Sequence, residues 1–124
     1  MILVDTSVWI DHLRRGDAHL VKLLAETRVC VHPFVIGELG CGNLKARREV
    51  LELLSALPGV LPASDAEALH FLDQRQLMGR GIGYIDVHLL AATAIRGTAR
   101  LWTRDKRLHA VAAELGLGYV EVIH

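Results

Sequence analysis

The chain predicts an α/β domain in which a mainly parallel sheet is covered by helices on both faces. Three observations carry this. Short apolar or β-branched runs at residues 2–5, 29–31 and 99–103 alternate with longer stretches of helical apolar spacing, the pattern of successive βαβ units. Punctuation residues, Gly16, Pro33, Pro58-Gly59 and Gly97, fall between the runs rather than inside them. The 124 residues, 52% hydrophobic and 23% charged, match one ordinary globular domain, so a single domain over residues 1–124 is expected and disorder is not.

The elements follow in order. Ile2-Leu3-Val4-Asp5 reads as a buried strand ending in a carboxylate, and Thr6 or Ser7 is placed to cap a helix through Trp9, Ile10 and Leu13 that Gly16 ends. Leu20, Val21, Leu23 and Leu24 give Asp17–Glu26 helical spacing, and Val29-Cys30-Val31 reads as a second strand. Pro33 opens a helix at the position where a missing N–H costs nothing, and that helix carries Glu38 among Phe34, Val35, Ile36 and Leu39. Lys45–Leu57 is amphipathic, and a short strand is expected around Val60 and Leu61. Ser64-Asp65-Ala66-Glu67 has the form of a capping box and starts a helix to about Met78. Residues 79–83, Gly-Arg-Gly-Ile-Gly, read as a mobile connection, after which Asp86 starts a helix that Gly97 terminates. Ala99–Thr103 reads as a strand, Asp105–Leu115 as a helix and Tyr119–Ile123 as a last strand. The two helices between Glu38 and Asp86 look like a small helical clip inserted beside the sheet.

Fourteen basic and fourteen acidic side chains leave no net charge, so no global cationic field draws in nucleic acid and any such contact must be local. Basic residues cluster at Arg14–Arg15, at Lys45, Arg47 and Arg48, and at Arg104, Lys106 and Arg107. Cys30 and Cys41 lack zinc spacing and read as reduced packing residues. With no secretory signal and no run near the ~18 apolar residues of a membrane span, a soluble cytoplasmic protein is expected. Mean hydropathy of +0.31 in so small a domain hints at apolar surface kept for another subunit.

Asp5, Glu38, Asp86 and Asp105 each stand at a strand exit or on a helix beginning near one. In open parallel sheets the reactive crevice lies beyond the carboxyl ends of the strands, so these acids are expected to meet. Singly, Asp5, Asp86 and Asp105 compete with helix capping, and Glu38 with plain exposure. Jointly they would repel one another unless a divalent cation intervened. Oxygen-only donors suit Mg²⁺ or Mn²⁺, and phosphodiester hydrolysis by a metal-acidified water is the chemistry expected. His32 and His88 are possible auxiliaries, with packing as the plain alternative. No Walker, dinucleotide, zincin or serine-elbow motif occurs. A receiver-like phospho-signalling domain is one alternative, although the acidic pair after the first strand and the mid-chain acceptor it needs are missing. A non-catalytic binding module with an acidic crevice is the other.

Four blocks then resemble one family. Ile2-Leu3-Val4-Asp5-Thr6-Ser7-Val8-Trp9, Val35-Ile36-Gly37-Glu38-Leu39, Gly83-Tyr84-Ile85-Asp86-Val87-His88 and Leu101-Trp102-Thr103-Arg104-Asp105-Lys106-Arg107-Leu108 are similar, in order, to those of PIN-domain ribonucleases, specifically VapC-type toxins. The resemblance implies a three-layer α/β/α sandwich, Mg²⁺ or Mn²⁺ held by Asp5, Glu38, Asp86 and Asp105, and assistance from Thr6, Ser7 and Thr103. It also implies a homodimer, RNA cleavage that blocks translation, and a cognate VapB-type antitoxin. Arg14, Arg104, Lys106 and Arg107 are the expected RNA contacts.

Overall fold

In the computed structural model, which describes residues 1–121, three parallel strands form the sheet: β1 (Ile2–Val4), β2 (Val29–Cys30) and β3 (Arg100–Trp102), in the order β2-β1-β3. Seven helices flank it among the described residues: α1 (Thr6–Arg15), α2 (Ala18–Ala25), α3 (Pro33–Gly40), α4 (Arg47–Ala56), α5 (Asp65–Gln74), α6 (Tyr84–Arg96) and α7 (Lys106–Glu114). The central strand pairs Leu3 with Cys30 on one side and with Leu101 on the other. Leu3 and Val4 are fully buried, because a middle strand covered on both faces has no solvent side for a polar residue. Each such side chain contributes roughly 1.5–3 kcal/mol by leaving water. All three strands run the same way, so Asp5 after β1 and Thr103 after β3 leave the sheet at one edge, joined there by Asp5 N–H donating to the Trp102 carbonyl at 2.9 Å.

Helix α6 is the most deeply buried: Val87 through Thr93 are all removed from solvent, and the Thr93 hydroxyl is satisfied by the Leu89 carbonyl at 2.7 Å. Helix α1 stops at Gly16, whose φ of +74° is open to glycine and costly for other residues. No helix among the described residues is long and apolar enough to cross a membrane.

Several boundaries differ from the expectation. The strand expected near Val60 is a single parallel bridge, Val31 to Gly59, since Pro58 has no N–H with which to extend the ladder. The last strand is likewise one bridge, Leu101 to Gly118, and its residues 122–123 lie outside the described residues. Helix α6 begins at Tyr84 with Gly83 as its cap, which makes Asp86 an internal first-turn residue rather than the start. The two helices read as one clip divide their packing: α4 lies chiefly on α3, and α5 on α6. The glycine-rich connection is tied at two points, by an Arg80–Glu114 ion pair at 2.9 Å and by the Arg107 side chain lying over Gly81.

Candidate active site

Each of the four acids gives one carboxylate oxygen to the protein and takes no hydrogen bond on the other among the described residues. Asp5 Oδ2 accepts from Ser7 Oγ and from Thr103 Oγ1, both at 2.8 Å. Thr103 in turn accepts the Asp105 N–H at 3.1 Å, and Ser7 accepts the Arg104 N–H at 3.0 Å. Each hydroxyl has one proton and spends it on Asp5, so the 3.3 Å approach of Ser7 to Thr103 is a contact between acceptors. Glu38 Oε1 accepts from Thr6 Oγ1 at 2.9 Å across 32 residues of chain. Asp86 Oδ2 accepts the Gly83 N–H at 3.1 Å, and Asp105 Oδ1 caps α7 through the Leu108 N–H at 2.9 Å.

Capping accounts for some of these contacts and not for others. Asp5 is the cap residue of α1 but makes no side-chain cap bond; neither Thr6 nor Ser7 caps that helix, and both hydroxyls serve carboxylates instead. Asp105 does cap its helix, with one oxygen to spare. Glu38 is exposed, not buried: Val35 and Leu39 take the core side of α3, and Glu38 projects from the other. Asp5 is the single Asp or Glu buried among the described residues, at 6% exposure.

No Lys, Arg or His stands within ion-pair distance of any of the four among the described residues. Burial pushes the Asp86 carboxyl above its ordinary range; the Gly83 N–H opposes this, and the charges of Asp5, Asp105 and Glu38 raise it further. The four charges therefore act on one region. Among the described residues no three His, Cys, Asp or Glu side chains are drawn close enough to enclose a metal ion. The donor chemistry nonetheless fits a hard divalent cation: carboxylate oxygens only, free of basic partners among the described residues.

The basic residues fall into two groups. Arg104 is committed within the protein: its guanidinium donates to Asp11 at 2.8 Å, to Asp17, and to Glu121 at 2.7 Å, and stands 5.3 Å from the Trp102 ring centroid. A guanidinium shared by three carboxylates has little left for a phosphate, which weighs against the RNA contact expected of Arg104. Asp11, Asp17 and Glu121, which no spacing in the chain singles out, make this tie between α1, the start of α2 and the C-terminal segment. Arg14, Lys106 and Arg107 are exposed and have no ion-pair partner among the described residues. His32 and His88 are packing residues. His32 Nδ1 accepts the Phe34 N–H at 2.9 Å to cap α3, and His88 Nε2 donates to Asp65 at 3.0 Å while Phe34 and Tyr84 flank its ring.

A parallel sheet with acids at its carboxyl edge and hydroxyls holding them is the arrangement of a PIN domain, and the PIN domain family model matches residues 2–114. The chain belongs to that family, in its VapC-type ribonuclease branch. It is 50% identical over 123 residues, 99% of each chain, to Ribonuclease VapC32 of Mycobacterium tuberculosis, in strains CDC 1551 / Oshkosh and ATCC 25618 / H37Rv. Two solved structures share the fold. PAE2754 from Pyrobaculum aerophilum superposes with a TM-score of 0.65 at 20% identity, covering 89% of this chain and 83% of the other. FitAB bound to an IR36 DNA fragment gives 0.62 at 18% identity, covering both chains in full.

Proposed function

We propose that this chain is a Mg²⁺- or Mn²⁺-dependent endoribonuclease, the toxin of a toxin–antitoxin pair, which stops translation by cutting RNA and is silenced by a VapB-type antitoxin. The observation that carries the reading is the division of labour in the four carboxylates, one oxygen anchored and one free. Asp5, Glu38, Asp86 and Asp105 would hold the ion, with Thr6, Ser7 and Thr103 fixing two of them. The chemistry that a bound ion supplies is a water of lowered pKa and relief of negative charge at the phosphate. The chain's own part is to orient: the hydroxyls stop Asp5 from turning its free oxygen away, and the first turn of α6 does the same for Asp86. Arg14, Lys106 and Arg107 have charge to offer the RNA backbone. A cytoplasmic homodimer belongs to the same reading, with exposed Leu53, Leu61, Leu69 and Met78 as available apolar surface.

Asp5→Asn and Asp86→Asn keep the shape of each side chain and remove its charge. Both are expected to abolish cleavage and growth arrest, scored by mapping RNA 5′ ends after induced expression, while circular dichroism stays that of the parent. Undiminished cutting by Asp5→Asn in EDTA would end the proposal.

A further inference from the structure

Beside Glu38 the surface opens into a cavity of about 380 Å³ between α1, α3 and the loop that follows α3. Its lining combines aliphatic side chains, Ile10, Leu39 and Leu44 among them, with the polar Arg14, Asn43 and Lys45. The loop is held in shape: Arg47 donates twice to the Gly40 carbonyl, at 3.0 and 3.2 Å, which fixes the chain on either side of Asn43. Arg14 and Lys45 have no ion-pair partner among the described residues, whereas the neighbouring Arg15 is matched to Asp11 at 3.3 Å. Two cations without an ion-pair partner among the described residues, against the one carboxylate of Glu38, give the lining a positive balance in a chain of zero net charge.

We infer that this cavity is a nucleotide subsite, seating the nucleoside next to the scissile phosphodiester, with Asn43 reading its base. The inference rests on the ribonuclease reading above, because Glu38 is both a wall of the cavity and one of the four acids. The ligand is identified by three matched chemistries. A base has two apolar faces, which aliphatic walls cover. It has an edge of donors and acceptors, which an amide side chain pairs with in both senses. It carries a phosphate on each side, to which Arg14 and Lys45 in the lining can offer charge, and Glu38 in the same lining makes the cavity continuous with one of the acids. Size favours a nucleoside over a protein segment: the volume is at the small end of the roughly 300–1,000 Å³ range of ligand pockets, and a helix about 10–12 Å across needs a longer trough.

Two measurements test this. In the first, the intact chain is titrated with each of the four nucleoside 5′-monophosphates while the backbone amides of Asn43, Leu44 and Lys45 are followed by NMR. These amides are expected to shift, with one base preferred. Asn43→Ala should level the preference, and the Arg14→Ala, Lys45→Ala pair should weaken all four nucleotides alike, on the order of tenfold. In the second, RNA 5′ ends are mapped for Asn43→Ala, which is expected to cut at additional sequences that the parent chain leaves intact. Amides that stay still at millimolar nucleotide, or an unchanged set of cut sites in Asn43→Ala, would overturn the subsite. So would a protein segment displacing nucleotide there without altering cut-site choice in its absence. A chain that cuts no RNA with Mn²⁺ present would instead sink the ribonuclease reading, and the nucleotide titration would still report on the cavity by itself.

Discussion

Asp5 is buried and has no cationic side chain within ion-pair distance among the described residues, a costly place for an ionised carboxylate. Two hydroxyls on one oxygen offset part of that cost, since hydrogen bonds to an ionised acceptor are about twice as strong as neutral ones. Each hydroxyl also accepts a backbone N–H, Ser7 that of Arg104 and Thr103 that of Asp105, so Thr103 is the one that couples two of the four acids. Thr103→Val, nearly identical in shape, removes both bonds. It is expected to lower Mn²⁺ affinity and cleavage together by roughly 10–100-fold, the usual loss for a residue that orients a metal ligand. Calorimetric Mn²⁺ titration beside a cleavage assay checks this, and an unchanged affinity would show that Ser7 alone holds Asp5. At this scale the identity of the acids is legible in the sequence and their surroundings are not. Glu38 sits in an apolar run, but the helical phase that sends Val35 and Leu39 inward sends Glu38 outward, and the run alone does not state its phase. The partners of Arg104 are hidden for a similar reason: the three acids lie 87 and 93 residues before it and 17 after it, beyond any local pattern.

Among the elements, α5 shows what local sequence does fix. Ser64 Oγ accepts the Glu67 N–H at 3.1 Å, and Glu67 accepts the Ser64 N–H at 2.9 Å, the reciprocal box that the Ser-x-x-Glu spacing announces. Ser64→Ala is expected to cost about 1 kcal/mol in chemical denaturation, with cleavage unaltered because α5 contributes no acid to the site. A loss below a few tenths of a kcal/mol would mean that solvent replaces the box freely. Helix α6 inverts the same device: glycine stands at the cap, and Asp86 in the third helical position accepts the glycine N–H. Reading Asp86 as the helix start follows from looking for an acid at the cap, where a glycine with no side chain leaves no signal. The three sheet strands are legible because each is short, apolar and bounded. The two weaker strand readings, near Val60 and near Tyr119, mark segments that touch the sheet by one rung each, where β-branched composition is present but a ladder is not.

At the scale of the whole molecule, charge neutrality and a deeply buried histidine meet in one prediction about pH. His32 is fully buried between the end of β2 and the start of α3, the helix that presents Glu38. Burial lowers its pKa to about 4, and the nearby His88 adds to the effect. The ring is therefore neutral in the folded chain at pH values where the unfolded chain, with an ordinary value near 6.5, would already bind a proton. More protons bound to the unfolded state means stability rises with pH across that window, so stability is lost as pH falls from about 6.5 toward 4. The full difference corresponds to roughly 3 kcal/mol, at about 1.36 kcal/mol for each tenfold loss of proton affinity, a large share of the roughly 5–15 kcal/mol that hold a domain of this size. Asparagine keeps an acceptor near the place of Nδ1, where it can still receive the Phe34 N–H, and does not titrate. His32→Asn is therefore expected to lose overall stability at neutral pH through the cavity it leaves, yet to show a flatter fall between about pH 6.5 and about pH 4.5 in denaturant unfolding. Parallel pH profiles for the two chains would place the acid sensitivity elsewhere, among the exposed ion pairs.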